Sequence, residues 1–116
     1  MLVDRVIPQR RSRRTTRERV RRAVLELADG RGDIRHHVEK AWASITFAGT
    51  RHTLRLVFEG EDAVACGERL IAALPDHEFT IPRQLVADAT VTGVENEMLP
   101  VPRMLVECEL LLLEDA

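Results

Sequence analysis

The sequence predicts a two-layer α+β sandwich, with two helices covering one face of a four-stranded antiparallel sheet in the order α-β-β-α-β-β. Three observations carry that expectation. Two segments hold apolar residues at helical spacing between recognisable start and stop signals. Four others alternate apolar and polar residues. At 116 residues, 45% of them hydrophobic, the chain is long enough for one core without disulfides or a structural metal.

The first element after the N-terminus is a helix. Thr15 is a good N-cap and Glu18, three residues on, completes a capping box. Val20, Ala23, Val24 and Leu27 make one apolar stripe, and Gly30 sits where a helix stop belongs. Residues 1–14 read as a basic arm. Within it Leu2, Val3, Val6 and Ile7 suit a short extended segment that Pro8 would close. Residues 15–116 are then a single domain.

The pattern next switches to period two. Ala41, Ala43, Ile45 and Phe47 share one face, as do His52, Leu54, Leu56 and Phe58. A two-residue turn at Gly49-Thr50 would pair Phe47 with His52, Ile45 with Leu54, Ala43 with Leu56 and Ala41 with Phe58, placing every apolar set on one side. The same register pairs Trp42 with Val57 on the opposite side.

A second helix opens at Gly60-Glu61-Asp62 with acids in its first turn, where the helix dipole favours them. Val64, Gly67, Leu70, Ile71 and Leu74 form its stripe and Pro75 ends it. Gly67 should let the helix backbone approach the sheet closely. In the second strand pair Leu85, Ala87, Ala89 and Val91 share a face. So do Met104, Val106, Cys108, Leu110 and Leu112. A four-residue loop at 96–99 would set Asp88 opposite Glu107. The order of elements suggests an αββ repeat, with Ala41–Gly49 echoing Leu85–Gly93. It is also the order that circular permutation of the ferredoxin-like βαββαβ arrangement would give.

Charge is unevenly spread. Residues 1–22 carry nine Arg against Asp4 and Glu18, a net of +7, whereas residues 23–116 carry eight basic against seventeen acidic residues, a net of −9. Arg10, Arg11, Arg13, Arg14, Arg17, Arg21 and Arg22 are the candidates for contact with a polyanion, through phosphate neutralisation. The plainer and preferred reading lays the arm and first helix against their own acidic body or that of a partner subunit.

Little in the sequence points to catalysis. His36 and His37 are adjacent and would point apart in a strand, His52 is placed on the core face, and His77 follows the second helix. No spacing marks a metal site, so none is expected, and no cofactor-binding motif occurs. Cys66 and Cys108 read as small core residues. Asp88, Glu107 and Glu109 fall on an open sheet face, where cross-strand pairing with Lys40, Arg55 or Arg103 is expected rather than acid–base chemistry. No apolar run approaches a membrane span and no secretory signal opens the chain, so a cytoplasmic protein is expected.

The helix-free face carries most of the functional information. Trp42, Val57, Val86 and Leu105 are expected there, among Ser, Thr and charged residues, and large apolar groups on an uncovered face call for a partner. The leading expectation is a small non-enzymatic domain of binding or accessory role that self-associates as a homodimer through its sheet. The alternatives are a nucleic-acid-associated protein using its Arg-rich arm, and an enzyme or small-ligand binder with a site at a subunit interface.

Overall fold

Residues 14–114 are described by the computed structural model. The elements run α1 (Thr16–Leu27), β1 (Asp33–Ala43), β2 (Ala48–Glu59), α2 (Glu61–Ala73), β3 (Gln84–Glu97) and β4 (Arg103–Glu114). The four strands form one antiparallel sheet in the order β1-β2-β4-β3, an α+β sandwich as expected. That order reads the same from either edge: each αββ unit gives its second strand to the centre and its first to the rim. The repeat therefore stands on topology. The proposed echo does not support it, because residues 41–49 straddle a turn while 85–93 lie within β3.

Helix α1 starts as the sequence requires. Thr15 Oγ1 accepts from the Glu18 amide at 3.1 Å, and the Glu18 carboxylate accepts from the Thr15 amide at 2.9 Å. That backbone hydrogen bond, seconded by the Thr15 hydroxyl, holds the Glu18 carboxyl below its ordinary pKa. Helix α2 has no side-chain cap; its N-cap is Gly60, at φ 96°. Gly67 meets the sheet as expected. A Cβ there would stand 2.9 Å from Cδ2 of Phe58, and closer still to the end of Met104.

The core joins Val20 and Val24 of α1, Leu70 and Leu74 of α2 and its exit, and Leu54, Leu56, Phe58, Met104, Val106, Cys108, Leu110 and Leu112 of the central strands. Cys66 and Cys108 are buried free thiols, and burial pushes the Cys108 thiol up to about 12.

Both hairpin registers differ from the expectation. The first turn is not at Gly49-Thr50 but at residues 44–47. There the Phe47 amide donates to Ser44 Oγ at 3.0 Å, and the Ser44 amide to the Phe47 carbonyl at 2.8 Å. Ala43 pairs with Ala48, Glu39 with His52, His37 with Leu54 and Ile34 with Leu56. This register draws Asp33–Lys40 into the ladder, giving an 11-residue strand where the other used only residues 41–47. Gly49 is needed for a different reason: a side chain at that point of β2 would run into the backbone of Leu112 and Leu113. In consequence Ile45 and Phe47 leave the expected core face for an exposed hairpin tip.

In the second hairpin Glu97 pairs with Arg103, so Glu107 faces Gly93 and Asp88 faces Leu111; the Asp88–Glu107 pair does not form. Irregularities at Ala87 and Thr92 interrupt β3. The first exchanges the faces of its opening residues. Val86 packs on the core beneath the helices, and Leu85 is left 59% exposed. Among the described residues no helix is long and apolar enough to cross a membrane.

Candidate functional site

Two regions collect functional groups: the helix-free face of the sheet, and a polar cluster beneath the first turns of α1.

On the helix-free face the interface candidates separate. Trp42 pairs with Gly49 rather than Val57, and that row continues through Leu113 to Leu85. Its Trp42 end lies beside the hairpin tip carrying fully exposed Ile45 and half-exposed Phe47. Val57 pairs with Leu105 some eight residues away along β2, and is already 4% exposed within one chain. Val86 belongs to the other face, for the reason given above. Between the two apolar stretches β2 and β4 exchange ion pairs. Arg51 reaches Glu109 at 3.6 Å and Arg55 reaches Glu107 at 3.1 Å; beyond Val57 and Leu105, Arg103 reaches Glu59 at 3.3 Å. Of the expected cross-strand pairs Arg55–Glu107 forms; Glu109 meets Arg51 instead, Arg103 turns to Glu59 and Glu97, and Asp88 accepts from the Thr90 hydroxyl.

Of the Arg candidates, Arg10, Arg11 and Arg13 lie outside the described residues. Arg14 is exposed ahead of α1 and Arg22 pairs with Glu26 along the helix. Arg17 and Arg21 turn toward the body. Nη1 of Arg17 donates to Glu39 Oε2 at 2.8 Å and Nη2 to the His37 carbonyl at 2.9 Å. Arg21 Nη1 lies 3.5 Å from Nδ1 of His37.

These contacts frame the second region. His37 and Glu39, two apart on β1, share the core-facing side, and His52 on β2 stands directly opposite Glu39. Both rings are covered, His37 at 8% exposure and His52 at 1%, and Nε2 of His37 is 2.8 Å from Nδ1 of His52. Arg21 can only donate, so His37 accepts at Nδ1 and its Nε2–H donates to His52. Burial disfavours charge on both imidazoles. It holds His37 down to about 4, helped by the positive charges of Arg17, a protonated His52 and Arg21, with Glu39 opposing. Burial also lowers His52, with Glu39 pulling the other way. The hydrogen bond from Arg17 keeps the Glu39 carboxyl below its ordinary value.

The result is two neutral imidazoles and an ionised carboxylate whose donor atoms all lie within 4.8 Å of one another. Among the described residues no other three His, Cys, Asp or Glu gather in this way. Sequence reasoning missed the cluster. The legible signals were His37-Val38-Glu39, which alternation puts on one face, and the core-side placement of a polar His52. Joining them needed the correct hairpin register.

No protein-family model, curated protein or solved structure matches the chain.

Proposed function

We propose that the chain is a binding or accessory module that works as a homodimer, two copies meeting through the helix-free faces of their sheets. One observation carries this reading: half-buried Trp42 and exposed Leu85 flank Leu113, itself already buried within one chain, and the adjoining hairpin tip leaves Ile45 and Phe47 exposed, large apolar groups with no layer over them among the described residues.

Size and charge support a second copy as the occupant. Four strands about 4.8 Å apart and about 40 Å long present a flat area of roughly 760 Å². A standard interface takes about 800 Å² from each partner. The charged strip puts Arg51 and Arg55 on β2 beside Glu107 and Glu109 on β4. Under a twofold axis the arginines of one copy can meet the glutamates of the other. A polyanion would find no net positive field on this face, nor the stacking aromatics that sheet-based RNA readers use.

Light scattering after gel filtration should give about twice 13.2 kDa at micromolar concentration. Trp42→Glu should weaken the dimer by about tenfold or more, since a charge then occupies the apolar row. A wild-type monomer at tens of micromolar, or a dimer indifferent to the substitution, overturns the reading.

A further inference from the structure

We propose that His37, Glu39 and His52 form a site for a first-row divalent cation of the zinc class, using Nε2 of His37, Nδ1 of His52 and one carboxylate oxygen of Glu39. This inference is independent of self-association, because the three residues lie on the opposite side of the sheet from Trp42.

The scaffold is suited to a metal. All three side chains come from paired antiparallel strands, and the donor atoms already converge within 4.8 Å. Two nitrogens bound tetrahedrally to zinc at about 2.0–2.1 Å stand about 3.3 Å apart. The observed 2.8 Å therefore requires the nitrogens to part by about 0.5 Å and the rings to tilt so that each lone pair meets the ion rather than the other nitrogen. Imidazoles must be neutral to coordinate, and burial keeps these so.

Arg17 need not leave. It binds Oε2 of Glu39, so the other carboxylate oxygen can face the ion while the guanidinium holds the carboxylate from behind, as outer partners of metal ligands do.

Arg21 opposes the ion. Coordination through Nε2 leaves the His37 proton on Nδ1, where it points at the Arg21 guanidinium, donor against donor. Arg21 is only partly buried and must swing outward. Three protein ligands leave a fourth position for water or an anion, and two nearby guanidinium groups favour the anion.

The test uses the full chain after chelator treatment, titrated with Zn²⁺ against a chromophoric chelator and with Co²⁺ by its visible spectrum. One ion per chain is expected. Glu39→Gln, at an exposed carboxylate that the core does not need, should weaken uptake about tenfold or more. Arg21→Gln gives the Nδ1–H an acceptor and should tighten binding several-fold. His36→Ala, on the other side of β1, should change nothing. Trp42→Glu should leave uptake intact, which separates failure here from failure of the dimer. Absence of stoichiometric uptake at about 100 μM Zn²⁺ overturns the proposal, since a three-ligand site of this donor set should fill well below that. Uptake indifferent to both Glu39→Gln and Arg21→Gln, or lost in His36→Ala, overturns it too.

Discussion

The two αββ halves share a topology and differ in what lies beneath the helix and on the rim strand. In the second half α2 brings Gly67 down onto Phe58 and Met104 of the central strands and buries Leu70, and rim strand β3 contributes Val86, Ala89 and Val91 to the same core. In the first half α1 brings Arg17 and Arg21 over rim strand β1, which answers with His37 and Glu39. One contact is stabilised by apolar area removed from water, the other by hydrogen bonds that repay the desolvation of buried polar groups. The difference teaches where the molecule keeps its stability and where it keeps its reactive chemistry. The chemistry sits in the half whose rim is polar.

The sharpest way to break this comparison is Leu70→Ala. Leu70 is fully buried, and its truncation should cost about 3 kcal/mol in denaturant unfolding, within the range for buried leucines. A cost below about 1 kcal/mol would mean that the apolar half does not dominate stability.

Next in size is the pH dependence of the polar half, measured on chelator-treated protein. His37 titrates near 4 when folded and near 6.5 when unfolded, and His52 is lowered in the same sense. The unfolded chain therefore binds protons first as pH falls. Stability should be full above about pH 6.5, fall between about 6.5 and 4, and lose nothing more from His37 below that. The loss from His37 is up to about 3 kcal/mol at 1.36 kcal/mol per pH unit. His37→Gln should flatten the profile, and thermal melts across that window would show it. A flat wild-type profile would mean that the imidazoles are not shielded from water.

The smallest effect concerns helix starts. Thr15→Ala removes the reciprocal cap of α1 and should cost about 1 kcal/mol, read as a shift in urea midpoint with unchanged slope. Replacing exposed Glu61 of α2, which takes no part in a side-chain cap, should cost less than that.

Helices were legible in this sequence because their signals are local. Thr15-to-Glu18 capping, the Val20/Val24 stripe and the close approach at Gly67 each depend on residues a few positions apart. The strands' faces were mostly legible too: β4 alternates as expected, and His52 lies on the core side. Registers were not, because they depend on which of two competing turns closes a hairpin. A glycine at position 49 resembles a turn residue, yet here it relieves a close approach between β2 and β4, while the Ser44 side chain makes the turn. That one choice decided whether Glu39 could face His52, and so hid the polar cluster. The irregularity at Ala87 likewise has no signature in alternation, and it places Val86 on the core side instead of the helix-free face.

The strand order has a consequence for how the chain comes together. The central ladder joins Gly49 to Leu113 and Glu59 to Arg103, partners 64 and 44 positions apart, whereas each hairpin closes locally. Loop closure over such distances slows the joining step relative to hairpin formation. During synthesis the first half emerges with β2 as a bare edge carrying Leu54, Leu56 and Phe58, and it must wait for β4, which follows β3 in the chain. For that interval the nascent chain offers an apolar template to any neighbouring strand, a hazard that the finished sheet removes by placing β2 and β4 at its centre.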